Sequence, residues 1–148
     1  MVCLGNICRS PLAEGIMRDK IKKYNLDWQV DSAGTGSWHI GSSPDPRSIS
    51  VARENNIDIT QQRGRQFSKE DFEQFDLIFA MDSQNFQNIN KLALASSDKD
   101  KVQLIMNLHQ PGYNQSVPDP YWNDDGFQGV FDMLELACEG IVKKYAKD

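Results

Sequence analysis

Val2-Cys3-Leu4-Gly5-Asn6-Ile7-Cys8-Arg9-Ser10-Pro11 is the stretch from which the rest of the chain can be read. A cysteine is followed by five residues and then by Arg9-Ser10, and the Ser10-Pro11 pair reads as a helix start. Ser10 is a good N-cap, and Pro11 suits the first helical position, where its missing N–H costs nothing. A loop that runs into a helix N-terminus turns successive backbone N–H groups on a bound oxyanion, and the helix dipole adds to the attraction. Leu4, Gly5, Asn6, Ile7 and Cys8 suffice to curl the chain around one tetrahedral group. Arg9 then brings a planar fork that grips two of its oxygens. The same field favours the thiolate form of Cys3, which attacks phosphorus and carries a phosphoryl group covalently. Read alone, a Cys-Gly pair is a buried strand end before a turn. Arg9 and Ser10-Pro11 at these offsets shift the reading to a nucleophile in an anion cradle.

Other anion-binding loops do not fit. The chain has no Gly-Lys-Ser/Thr run and no Gly-x-Gly-x-x-Gly, so the expected anion is a phosphate ester on a substrate rather than a nucleotide. A length of 148 residues suits one domain spanning 1–148. The net charge of −5, with no basic block, argues against a nucleic-acid partner. Positive charge around Arg9, Arg63 and Arg65 is still expected to draw an anion into a cleft. No apolar run approaches membrane-spanning length, so neither a membrane partner nor a secretory leader is expected. Three cysteines without an extracellular framework point to reduced thiols and a cytoplasmic setting. Cys3, Cys8, Cys138, His39 and His109 lack the spacing of metal ligands, so neither a metal nor another cofactor is expected.

Strand-like and helix-like segments alternate, which predicts an α/β architecture with a parallel sheet. Pro11 to Tyr24 carries Leu12, Ala13, Ile16, Met17 and Ile21 at helical spacing. Trp28 to Ala33 reads as a short strand ended by Gly34-Thr35-Gly36, and Pro44-Asp45-Pro46 opens a second helix reaching Asn56. Ser68-Lys69-Glu70-Asp71 reads as a capping box for a short helix. Leu77 to Met81 is a continuous apolar run, as in a strand covered on both faces. Phe86, Ile89, Leu92 and Ala93 suggest a helix, and Val102 to Met106 another strand. Phe127, Val130, Phe131, Leu134, Cys138, Ile141, Val142 and Tyr145 keep the 3.6 period of a final helix. Asp124 and Asp125 at its start and Lys143, Lys144 and Lys147 at its end complement its dipole. Only Met1 and Val2 precede Cys3. The first strand is therefore either very short or begins upstream of Met1.

A thiolate and a guanidinium can take up a phosphoryl group, but the departing oxygen needs a proton from the far side. Asp119, in Pro118-Asp119-Pro120-Tyr121-Trp122, is the candidate acid, because the flanking prolines stiffen its loop. Loops at the carboxyl ends of strands in an open α/β sheet meet in one crevice, so the segment after Val102–Met106 can reach the cradle. Read alone, Asp119 suits a surface turn before the last helix. Trp38, Tyr121 and Trp122 are aromatics in predicted loops and are candidate walls for a flat phenolic substrate, or else half-buried packing.

Cys3 to Pro11, Ser32-Ala33-Gly34-Thr35, Pro44-Asp45-Pro46-Arg47, Met81-Asp82 and Asp119-Pro120-Tyr121-Trp122 together resemble the low molecular weight protein tyrosine phosphatases. The likeness spans nearly the whole chain. It implies a single three-layer domain with a four-stranded parallel sheet flanked by helices on both faces. It also implies hydrolysis of phosphotyrosine and aryl phosphate esters through a cysteinyl-phosphate intermediate, with no cofactor. The implied partner is a phosphotyrosine protein, met by a monomer or a weakly self-associating enzyme. By this resemblance Cys3 is the nucleophile, Arg9 the phosphate clamp, and Asp119 the acid that then serves as base for water. Ser10 would bond the thiolate, Asn6 and Ser32 would hold the loop, and Cys8 would form a reversible disulfide with Cys3. From the residues alone Cys8 is a small buried side chain. A histidine that supports the loop in some relatives has no counterpart around Gln62-Arg63-Gly64-Arg65.

Two other readings compete. An arsenate reductase on the same fold needs two further redox cysteines. The segment from Ala80 to Leu94 has none, and Cys138 sits on a packed helical face. A non-catalytic phosphoprotein-binding module needs neither the nucleophile nor the acid.

Overall fold

The structure, a computed structural model, describes residues 1–146. Its centre is a sheet of four short strands: β1 (Val2–Cys3), β2 (Ala33–Gly34), β3 (Ile78–Ala80) and β4 (Val102–Leu104). They lie in the order β2-β1-β3-β4 and every neighbouring pair is parallel. Val2 pairs with Ala33 on one side and Ala80 on the other, and Ala80 continues to Leu104. Around the sheet run α1 (Arg9–Lys23), α2 (Pro46–Glu54), α3 (Asp71–Gln74), α4 (Ser83–Asn90), α5 (Ser96–Lys99) and α6 (Phe127–Tyr145).

Strand side chains alternate between faces, and this sorts the core into two layers. Cys3, Phe79 and Met81 pack with Leu12, Ile16, Val51, Leu134 and Cys138, which belong to α1, α2 and α6. Val2, Ile78 and Ala80 face the other way, against Phe72 of α3 and Ile89 of α4. The sheet is therefore covered on both faces, and β3 is buried at all three positions, as its unbroken apolar run requires.

Several boundaries depart from expectation for identifiable reasons. The first helix starts at Arg9 with Cys8 as its N-cap and no capping side chain, so Ser10 is not the cap and Pro11 is not the first residue. Starting earlier places Ser10 inside the first turn, where its hydroxyl serves the cradle instead. The segment Trp28–Ser32 lies outside the sheet, because β1 pairs with β2 at only two positions. Its alternation is real all the same: Trp28 and Val30 pack on the core while Gln29 and Asp31 face out. The strand expected to reach Met106 ends at Leu104, and Ile105–Leu108 tighten into a 3₁₀ turn. At Ser68 only half of a capping box forms, with the Asp71 carboxylate accepting the Ser68 N–H at 2.9 Å. α5 was not expected, since Ser96–Lys99 has no buried residue and so no periodic signal. α6 runs over the expected span, and Lys147 lies outside the described residues.

Candidate active site

Strand order reverses between β1 and β3, and ligands of such sheets settle beyond the carboxyl ends of those strands. Three segments converge there: the loop after β1, Met81-Asp82 after β3, and the segment following β4. The last is drawn in by the Val117 N–H, which donates to Met81 O at 2.8 Å. This bond carries Pro118-Asp119 to the cradle from far along the chain.

The cradle is held by its side chains. Cys3 Sγ is buried and lies 3.0 Å from Ser10 Oγ and 3.3 Å from the Asn6 N–H. Asn6 has a φ of +59°, a conformation that asparagine tolerates better than most residues. That turn aims its amide inward. Nδ2 donates to Ser10 Oγ (2.8 Å) and Ser32 Oγ (3.0 Å), while Oδ1 accepts the Arg65 N–H (3.0 Å). Because Ser10 Oγ accepts from Asn6, its own proton can be directed at the sulfur. Ser32 Oγ in turn donates to Glu14 Oε1 at 2.7 Å, and Arg18 offsets the buried Glu14 charge from outside at 2.8 Å. Gly34 passes beneath this loop so closely that a Cβ would lie 2.8 Å from Leu4 O.

Arg9 is fully buried and gripped from behind. Its Nη1 donates to Asp82 Oδ2 at 2.7 Å and to Val117 O at 3.0 Å. The other amino group, Nη2, is 3.9 Å from Asp119 Oδ2, beyond hydrogen-bond reach. Asp119 Oδ1 accepts the Tyr121 N–H at 3.1 Å, and the Asp119 side chain keeps 37% of its surface exposed. Tyr121 and Trp122 stack edge to face with ring centres 4.8 Å apart. The cleft between these parts measures about 300 Å³. Cys3, Leu4, Gly5, Ile7, Cys8 and Arg9 line it together with Trp38, His39, Asp119, Tyr121 and Trp122, and His39 lies against Gly5 of the cradle loop. Asn6, Ser10 and Ser32 are buried behind the loop.

The expected residues thus come together, with two corrections. Arg65 turns its guanidinium away to Asp31 and Asp71, and Arg63 binds the carbonyls of Thr60 and Gln62, so neither side chain lines the cleft. What Arg65 contributes is its backbone N–H to Asn6. The sequence reading names Asp82 and His39 but gives them no place in the cleft, and it misses Glu14 and the Val117 carbonyl. Asp82 had a visible signal, a carboxylate directly after a buried apolar strand; the others are defined by partners remote in sequence. Burial, with the Asp45 carboxylate adding to it, pushes the Cys8 thiol up to about 12. Burial raises Cys138 likewise to about 12, and its Sγ faces Ala13 O inside the helix packing, away from the cleft.

Fold and cleft define a class: a doubly wound α/β protein with a cysteine seated in an oxyanion cradle. The model of the family described as low molecular weight phosphotyrosine protein phosphatase matches residues 1–148. The low molecular weight phosphotyrosine protein phosphatase of Schizosaccharomyces pombe is 42% identical over 149 residues, covering 98% of this chain and 94% of that protein. The Sus scrofa enzyme of the same description is 36% identical, covering 97% of this chain and 92% of its own. A crystal structure of protein tyrosine phosphatase from Entamoeba histolytica, with Hepes in its active site, matches with a TM-score of 0.90 at 37% identity. That match covers 97% of this chain and 92% of the other. The chain belongs to the low molecular weight protein tyrosine phosphatases, cysteine-dependent hydrolases of phosphotyrosine esters.

Proposed function

We propose that Cys3, Arg9 and Asp119 carry this hydrolysis in two steps. In the first, Cys3 sulfur attacks phosphorus, Arg9 Nη2 and the loop N–H groups of Leu4 to Ser10 hold the equatorial oxygens, and the P–O ester bond breaks. The Asp119 proton goes to the departing phenolate oxygen. In the second, water attacks the cysteinyl phosphate, returns its proton to Asp119, and inorganic phosphate leaves as the P–S bond breaks. Ser10 directs its hydroxyl at the sulfur, while Asn6 and Ser32 hold the loop. The observation that supports this most is a buried sulfur with two donors on it at the floor of a cleft, with a carboxyl group across from the Arg9 fork.

Trp38, Tyr121 and Trp122 wall the mouth, so a long aryl ester reaches the sulfur where a short alkyl ester falls short. The substrate is accordingly a phosphotyrosine side chain on a protein, met by residues 1–148 acting as one domain, monomeric or weakly self-associated. Three free cysteines fit a reducing, cytoplasmic setting. No described helix is long and apolar enough to cross a membrane. Para-nitrophenyl phosphate turnover tests the reading. Cys3→Ser should bring the rate to background while phosphate still binds; wild-type-like turnover by that variant would end the proposal.

A further inference from the structure

The Pro44-Asp45-Pro46-Arg47 segment takes no part in the steps above, yet it connects both halves of the cleft. Asp45 is the N-cap of α2: its side chain accepts the Arg47 N–H at 2.8 Å, and its own N–H donates to Ile7 O in the cradle at 2.8 Å. The Arg47 side chain grips both Asp45 oxygens, Nε at 2.9 Å and Nη2 at 2.8 Å. Its remaining amino group reaches the acid loop, donating to Tyr121 O at 3.0 Å and to Asp124 Oδ1 at 2.5 Å. The guanidinium also lies 5.4 Å from the Tyr121 ring centre and 4.6 Å from that of Phe127. Tyr121 is therefore held at both ends of its main chain, by Asp119 at the N–H and by Arg47 at the carbonyl.

We infer that Arg47 is a positioning residue for the proton donor. By fastening residues 119–124 to the start of α2, itself tied to Ile7, it sets where the Asp119 carboxyl stands relative to Cys3. This rests on Asp119 being the acid. The Asp124 contact adds little, because that carboxylate is 84% exposed and its pairing is screened. The bidentate grip on buried Asp45 together with the Tyr121 carbonyl is what a flat five-donor fork can do and a lysine cannot.

The test compares kcat/KM for para-nitrophenyl phosphate and phenyl phosphate in Arg47→Ala, Arg47→Lys and Asp119→Asn. A displaced donor forfeits part of the 10²–10⁴-fold that general acid catalysis contributes, and the poorer leaving group suffers more. Arg47→Ala should lose about 10-fold on phenyl phosphate and under about 3-fold on the nitrophenyl ester. Millimolar guanidinium ion should restore part of the phenyl phosphate rate in that variant alone. Arg47→Lys keeps a cation beside Asp45, guarding against misfolding, and should show the same split without rescue. Equal losses on both esters, or none, in the Arg47 variants while Asp119→Asn splits them would overturn the positioning role only. No split in Asp119→Asn itself would remove the acid assignment, and this inference with it.

Discussion

The two sides of the cleft are built on opposite plans. On the cradle side every important side chain is buried and held by at least two partners: Cys3, Asn6, Ser10 and Ser32 by one another, Glu14 and the Arg65 N–H, and Arg9 by Asp82 and Val117 O. On the acid side Asp119 has, among the described residues, a single close partner, Tyr121 N–H, and keeps more than a third of its side chain in contact with solvent. Trp122 beside it is 87% exposed. The contrast fits the roles proposed for the two groups. A nucleophile and its oxyanion donors gain from being fixed before substrate arrives, since no reorganisation is then needed during reaction. In the proposed steps the proton donor must meet a leaving group and later a water, which suits a group that stands at the boundary and, on our inference, is steadied from outside by Arg47.

Substitutions on the two sides should therefore fail differently. After Cys3→Ser, the largest effect is expected for Arg9→Lys. An ammonium gathers its donors on one atom and lacks the flat fork that holds Asp82 and Val117 O with one amino group and offers the other to phosphate, so kcat/KM should fall on the order of 10²–10³-fold for both aryl esters, as when an oxyanion donor is lost. A loss confined to phenyl phosphate would instead tie Arg9 to the acid. Glu14→Gln comes next. It removes the charged acceptor that orients Ser32, and with it the direction of the relay through Asn6 to Ser10. A charge-assisted bond of this kind is worth about 1.5–3 kcal/mol. We expect about a 10-fold fall on both esters, the mark of damage to the nucleophile rather than to the donor. Unchanged rates would show the relay has no need of that carboxylate.

The smallest effect concerns acid. The Arg47 hydrogen bonds hold the Asp45 carboxyl below the usual carboxylate range, with burial opposing them. A lowered value means the folded form binds that proton less readily than the unfolded chain. The stability it contributes is thus complete above about pH 4 and drains as pH falls through the depressed value. Melting temperatures between pH 5 and 3 should drop less steeply in Asp45→Asn than in the wild type. Parallel curves would mean other carboxylates govern acid unfolding.

Much of this could be read from residues in order. Cys3, Arg9 and Ser10 lie on one local loop, so their meeting requires only a turn and a helix start. The 3.6 period of α6 and the unbroken Leu77–Met81 run reported their own burial. Asp119 was reachable through stiff prolines and the topology of parallel sheets. What escaped depends on pairing at a distance. No local pattern says that Arg65 supplies a backbone N–H and no side chain, or that Glu14 on α1 meets Ser32. The extent of β2 was misread because alternation in Trp28–Asp31 reports facing, and hydrogen-bonding requires a neighbour as well.

The left-handed turn at Asn6 narrows what evolution or an engineer could put there. Glycine would take the turn most cheaply but drop the contacts to Ser10, Ser32 and the Arg65 N–H together. Aspartate would keep the shape and lose both donations, setting a second negative charge against the anion the loop is made to receive. Most larger residues would resist the backbone angle outright. Among glycine, aspartate and asparagine, only the last meets the steric and the chemical demand at once.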